Sequence, residues 1–416
     1  MPHKRRADKP IVSDYLFFAL LFSIPFEDSL SISGMSIPKV IGVVFIATAM
    51  VNWRRYFGKS PPAVTMYLMV VIIGVLSDIV QLSFFDMFLI NELARPILVF
   101  ISFFVTYNLC INGEITRVMF VLAASSAVFA VLSILGFGED MGYVYEVGRN
   151  LTNVYGEQLE RITAFGTNPN GSARVLSLSI LFSVLIFFGI VPCKVVWQRL
   201  LWLVGGGVSF IVFLQTASRG GAAGLAVGLM AIMLSSRKSG GKFLSYFIAV
   251  LSIGLLAFSI AHNELFRHRV EAESDDRSLG GRVVIWTAAM ETFREAPVFG
   301  QGLFYHAYHI GGKLAKESKS AHNTFLGVLV ATGFIGFGFY LLFWLYTLKC
   351  AWKIRADKSG VGKVLFVWIA MGMVGALMMG MQSSKWLMVV MAMILGRYKL
   401  WTHEQQQLRM LGHMEG

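Results

Sequence analysis

Two arginines and one histidine stand out by their residue type and their neighbours. Arg219 follows Gln215, Thr216 and Ser218 and opens a glycine-rich apolar stretch with Gly220 and Gly221. A helix start there offers unpaired N–H donors and the positive end of the backbone dipole. Glycines let a ligand approach the main chain, and a guanidinium adds planar, bidentate, permanently charged donors. That combination holds phosphate; the alternative is an arginine snorkelling to a membrane interface. Arg282, after Gly280 and Gly281, repeats the theme, and the pair suits one diphosphate. His322 lies in Ser-Ala-His-Asn-Thr-Phe-Leu. An imidazole titrating near neutral pH can take a proton from an attacking hydroxyl. Asn323 beside it can orient the ring or a substrate. The competing reading of His322 is a helix-capping or interface histidine.

Other polar groups offer weaker chemistry. His306, His309 and His322 are separated by two and then twelve residues, a spacing that matches no standard zinc site. Glu27 and Asp28 could hold a divalent ion against a lipid diphosphate, or form a solvated turn. Thr167-Asn168-Pro169-Asn170-Gly171 reads first as a loop end with a cap and a proline at a helix start. Lys385 with Trp386 is either an interfacial anchor or a substrate contact.

The elements that must position these groups are set by composition. The chain has 416 residues, 56% of them hydrophobic and only 14% charged, with a mean hydropathy of +0.65. An average soluble domain is about a quarter charged, so an ordinary soluble enzyme is excluded, and so is a disordered chain. The expected fold class is an all-α integral membrane protein. Twelve apolar runs are long enough to be spans: 11–30, 37–53, 63–80, 90–110, 115–137, 169–191, 197–217, 219–236, 243–262, 323–348, 362–381 and 383–400. They are continuous rather than alternating, which favours helices over a barrel.

Formal net charge is +12. The basic residues fall mainly in the connections on one side, among them Lys4, Arg5, Arg54, Arg55, Arg237, Lys238, Lys349, Lys353 and Arg397. The excess is therefore an orientation signal, placing both termini in the cytoplasm, rather than a nucleic-acid footprint. Cys110, Cys193 and Cys350 map to the same side, so no disulfide framework is expected outside. A basic and then apolar start without a small-residue cleavage site is expected to be a retained first helix.

Two outside loops break the pattern of short connections, 138–168 and 263–321. Loops of this length are often functional. Five of the eight histidines lie in or beside the second (His262, His268, His306, His309, His322). Val283, Trp286, Met290 and Phe293 recur there at helical spacing, with Arg282, Glu291, Arg294 and Glu295 on other faces and Pro297 and Gly300 ending the helix. The expected organisation is helices one to nine over 1–262, a loop domain over 263–321, and helices ten to twelve with a cytoplasmic tail over 322–416. Gly220, Gly224 and Gly228 form a smooth face for close helix packing.

Several of these signals occur in a fixed order. Asn168-Pro169-Asn170, then Ser218-Arg219-Gly220-Gly221, then Gly281-Arg282 with Trp286 and Pro297-Val-Phe-Gly300-Gln-Gly302, then His322-Asn323-Thr-Phe-Leu326 with Gly333-Phe-Ile-Gly336, resembles the O-antigen ligase and O-antigen polymerase superfamily. The resemblance covers roughly 165–340. It implies a GT-C-type membrane glycosyltransferase that takes a glycan from undecaprenyl diphosphate at the periplasmic face of the bacterial inner membrane. Ligases in the family use lipid A-core as acceptor, polymerases another lipid-linked glycan, and some relatives a protein. The resemblance carries the family's essential arginines onto Arg219 and Arg282 and its histidine onto His322. Ser218, Gly220, Asn323, Asn170 and Lys385 are then substrate-binding candidates, and no cofactor or metal is expected. One departure stands out: many relatives carry an acid after His-Asn where this chain reads Val330-Ala331-Thr332-Gly333, which favours His322 as the base.

The leading expectation is the ligase, on compact size and a single dominant outside loop, with the polymerase as alternative. A transporter or lipid flippase would show interrupted helices in corresponding halves and ionisable groups near mid-membrane. Here the notable residues cluster on the outer side of the second half.

Overall fold

The computed structural model describes residues 11–26, 31–32, 35–61, 63–81, 87–137, 168–193, 195–235, 239–263, 278–355, 357–378 and 384–412. Glu27 and Asp28, His268, Arg237 and Lys238, the N-terminal basic residues and nearly all of the 138–168 loop lie outside these residues. The described chain is helical apart from a two-residue antiparallel pairing of Ser31–Ile32 with Met35–Ser36. Each of the twelve apolar runs falls on a helix. In chain order these are α1 (Val12–Phe22), α2 (Ile37–Val51), α4 (Val64–Gln81), α5 (Met87–Leu109), α6 (Ile115–Ile134), α7 (Pro169–Phe187), α8 (Val196–Gln215), α9 (Arg219–Leu234), α10 (Ser239–Ala261), α13 (Thr324–Ile354), α14 (Val361–Met378) and α15 (Lys385–Gly412). Short α3 (Trp53–Phe57) follows α2, and two further helices, α11 (Ser278–Glu295) and α12 (His306–Lys313), occupy the long loop.

Among the described residues five helical segments are long and apolar enough to cross a membrane: Pro96–Ile134, Pro169–Phe187, Val196–Gln215, Thr324–Ile354 and Val361–Met378. The first takes in α5 from Pro96 onward and all of α6, separated at Gly113, whose φ of +99° breaks the helical path. The last helix continues past residue 400 to Gly412, so the described part of the tail is helical rather than loose. Buried Arg397 fixes it, pairing with Asp357 at 2.7 Å and Glu404 at 2.9 Å.

At the other end, Asp14 of α1 is fully buried yet satisfied. It takes Arg55 Nε at 3.0 Å and Nη2 at 2.6 Å, and the Tyr56 hydroxyl at 2.7 Å, which fastens α1 to α3. A buried carboxylate is tolerated only with such partners.

Helix α7 sits at the centre, packed against α6, α8, α9 and α14. The glycine face of α9 permits its close approach. A side chain at Gly221 would come within 2.6 Å of Ala173, and one at Gly228 within 2.7 Å of Leu181, both on α7. Helix α13 packs against α4, α14 and α15, and carries α11 on its N-terminal part.

The loop helix α11 forms where the spacing predicts and buries Phe293 of that stripe together with residues outside it. Val283 and Met290 are exposed, while Ala288, Ala289, Thr292 and Phe293 are buried against Ile310, Ala321 and Val330. The small alanines allow close packing, and the larger residues are left on the outer face.

Candidate active site

Three of the sequence motifs open helices, and the same cap chemistry fixes each. Asn168 caps α7, its side chain accepting from Asn170 N at 2.9 Å, with Pro169 in the first turn. Ser218 caps α9, its Oγ accepting from Gly221 N at 3.1 Å. Asn323 caps α13, its Oδ1 accepting from Leu326 N at 3.1 Å. An Asn or Ser side chain at this position satisfies one of the orphan donors of the first turn.

The cap of α9 touches the first turn of α7. Ser218 Oγ donates to Asn170 Oδ1 at 2.7 Å, joining residues from α7 and α9. Ala217, directly before the cap, has φ +44°, a left-handed conformation unusual for alanine. Arg174, one turn into α7, is buried, and its Nε donates to the Asn170 carbonyl at 3.0 Å. It did not stand out in the sequence, because a lone arginine in an apolar helix has no motif around it.

The second arginine reaches the same place from the loop. Arg282 Nη1 lies 3.4 Å from Met378 Sδ at the end of α14. Met378 also faces Gly220, where an added Cβ would sit 3.5 Å from its own Cβ. One methionine thus touches Arg282 and faces the Gly220 backbone. Lys385, the first residue of α15, is half-buried, whereas Trp386 is buried in the core and is no interfacial anchor.

His322 is brought alongside by α11. Trp286 Nε1 donates to the Ala321 carbonyl at 3.0 Å, holding the helix of Arg282 against the residue before the histidine. His322 is half-buried with φ +49°, the same left-handed strain that precedes Ser218. Its pKa is lowered by burial first, then by the nearby charges of Lys319 and Arg282, so the neutral ring is favoured. Asn323 uses its side-chain oxygen in the cap, which leaves the amide nitrogen as its donor end.

His306 points elsewhere. It is buried, and because a carbonyl only accepts, its Nδ1 carries the proton it gives to Gly302 O at 3.1 Å. Among the described residues no group of three or more His, Cys, Asp or Glu is placed to hold a metal ion.

The segment Pro297–Gly302 forms a strap that explains the glycines of the motif. Helix α13 breaks at Gly333, whose φ is +61° and where a side chain would strike the Val298 backbone. The break removes the partners of Val330 O, Ala331 O, Phe334 N and Ile335 N. The strap supplies all four: Gln301 N to Val330 O at 2.8 Å, Gly302 N to Ala331 O at 2.9 Å, Phe334 N to Pro297 O at 2.8 Å and Ile335 N to Val298 O at 3.3 Å. On its other side the strap meets α4. Ser77 Oγ donates to Phe299 O at 2.7 Å, and the fully buried Asp78 carboxylate accepts Phe304 N at 3.0 Å and Tyr305 N at 3.3 Å. Gly302, at φ +87°, has no room for a side chain: a Cβ would fall 1.9 Å from Asp78 Oδ1. Asp78 lies more than two hundred residues before its partners, so no sequence spacing could reveal it.

Residues 204–341 match the family model described as O-antigen ligase. This is the family whose motif order the chain resembles, and its members are glycosyltransferase-like ligases and polymerases. The O-antigen ligase match takes in Ser218, Arg219, Gly220, Arg282, the strap, His322 and Asn323; Asn170 and Lys385 lie outside it. An uncharacterized protein of Haemophilus influenzae is 27% identical over 157 residues. That similarity covers 32% of this chain and 39% of the relative.

Proposed function

We propose that the protein is an O-antigen ligase of GT-C type, a multi-pass protein of the bacterial inner membrane with twelve spans, both termini cytoplasmic and its site facing the periplasm. In this reading the donor is O-antigen on undecaprenyl diphosphate and the acceptor a sugar hydroxyl of lipid A-core. The observation that carries it is the meeting at Met378 of the Gly220 helix start and Arg282, with His322 held beside Arg282 by Trp286. The O-antigen ligase match over the same residues supports the class of reaction.

The chemistry follows from these groups. Arg219, Arg282 and the N–H donors of the α9 start bind the diphosphate, with Ser218, Gly220 and Asn170 shaping that end. Asn323 and Lys385 contact substrate. The acceptor oxygen attacks the anomeric carbon, the bond from that carbon to the diphosphate oxygen breaks, and the acceptor proton passes to His322 Nδ1 or Nε2. Attack opposite the departing undecaprenyl diphosphate inverts the anomeric centre. Two permanent cations neutralise the leaving group, which makes the proposed reaction independent of added metal. A neutral imidazole, favoured here by burial and neighbouring cations, is the form a base requires.

The test is transfer by purified protein given undecaprenyl diphosphate-linked glycan and lipid A-core, with and without EDTA. Glycan on lipid A-core in both conditions is the expected result. Longer glycan still attached to undecaprenyl diphosphate would make the protein a polymerase instead. Loss of transfer on chelation would overturn the metal-independent scheme.

A further inference from the structure

The strap is peculiar in what it turns outward. Its backbone is paired inward to α13 and α4, yet Val298 is 49% and Phe299 60% exposed. Beside them Phe334 is 62% and Ile335 41% exposed. The patch runs on into Leu341, Leu342 and Leu345 of α13, all exposed and about two to three turns further along one face. That face belongs to a segment long and apolar enough to cross a membrane.

Depth follows from the charges. Helix α13 carries no charged residue from Thr324 to Leu348, and Lys349 is the first. A span needs about 20 residues to cross the hydrocarbon. Counted back from Lys349, the apolar layer reaches to about residue 329, so Phe334 and Ile335 lie inside it. The strap hydrogen-bonds to residues 330, 331, 334 and 335, and so lies at the same depth. Non-helical backbone survives in hydrocarbon only where its polar groups are satisfied by protein. The exchange of partners at the Gly333 break does this for the strap, and Ser77 and Asp78 complete it.

We infer that Pro297–Gly302 is a re-entrant segment lodged in the hydrocarbon of the leaflet nearer the α13 N-terminus, with Val298 and Phe299 against lipid acyl chains. It anchors the C-terminal end of α11, the helix that carries Arg282, in the bilayer rather than above it. The inference rests on the proposed membrane crossing of α13.

The experiment places a nitroxide on a single cysteine in protein reconstituted into phosphatidylethanolamine–phosphatidylglycerol liposomes, with Cys110, Cys193 and Cys350 changed to alanine. Phe299→Cys and, independently, Val298→Cys report the strap; Leu342→Cys reports the lipid face of α13 and Lys316→Cys the aqueous loop. Collision with oxygen and with a water-soluble nickel chelate is compared. The expected ratio of oxygen to nickel accessibility at 298 and 299 equals that at 342 and exceeds that at 316 by an order of magnitude. A ratio like that at 316, or collision with neither reagent, would overturn the strap assignment while Leu342 still reads as lipid. A water-like ratio at 342 would overturn the crossing of α13 and the strap with it.

Discussion

The hydroxyl of Ser218 donates to the side-chain oxygen of Asn170 at 2.7 Å while accepting from Gly221 N, so one group caps α9 and ties it to α7. Ser218 is completely buried, so water cannot replace either bond. Ser218→Ala is expected to cost about 1 kcal/mol from the cap with Gly221 N, and more from the lost bond to Asn170. Thermal unfolding in detergent should show the loss. An unchanged transition would contradict the double role.

Asp78 and Gly302 make a matched pair. Asp78→Ala removes the acceptor shared by the half-buried N–H groups of Phe304 and Tyr305, at up to about 1–3 kcal/mol. Asp78→Asn retains one acceptor oxygen and should be milder. Gly302→Ala combines a left-handed φ with a direct clash and should free the strap. Limited proteolysis of the loop between α11 and α13 should rank the variants: Asp78→Ala and Gly302→Ala cut fastest, Asp78→Asn more slowly, native slowest. Equal cutting of all four would remove the latch.

His322 should set the acid limb of transfer. Its pKa is held below the ordinary imidazole value of 6.5 by burial, Lys319 and Arg282, so the base stays neutral through neutral pH. Lys319→Glu removes one of those cations and adds an anion, which raises the pKa and protonates the ring at higher pH. The acid limb of kcat/KM should then move upward, slowing transfer near pH 6 more than at pH 8. A limb that does not move would argue against His322 as the titrating base.

Acid should loosen the loop through His306. Burial lowers its pKa to about 4 in the folded protein, against 6.5 in an unfolded chain. Between those values the unfolded state binds the extra proton, so stability falls as pH drops from about 6.5 towards 4, by about 3 kcal/mol at most. His306→Asn should flatten that slope in thermal unfolding measured across the same window. A slope identical to that of the native protein would exclude His306 as its source.

The helices were legible because span hydropathy is local: each apolar run becomes a helix whatever its neighbours do. The cap before Pro169 was legible for the same reason, since a cap needs only its own first turn; Ser218 and Asn323 were read as substrate groups, and it is Asn323 rather than His322 that caps α13. Spacing located α11 and its buried Phe293, but not the burial of Ala288 and Ala289, whose small side chains carry no apolar signal of their own. Asp78, Arg174 and Met378 were invisible. Each acts on residues far away in the chain, and neither a single acid, a single arginine nor a methionine at a helix end carries a pattern. The broken α13 was half legible: glycines at 333 and 336 were noted, but the strap that supplies the missing partners exists only in three dimensions.

The most direct measurement is donor binding and glycan transfer, side by side, for the native protein, Arg219→Ala, Arg282→Ala and His322→Ala reconstituted in liposomes. With membrane insertion intact, the arginine variants should lose both donor binding and transfer, and His322→Ala should bind donor but fail to transfer its glycan. Full transfer by either arginine variant, or by His322→Ala, would contradict the assignment of the leaving-group cations and the base.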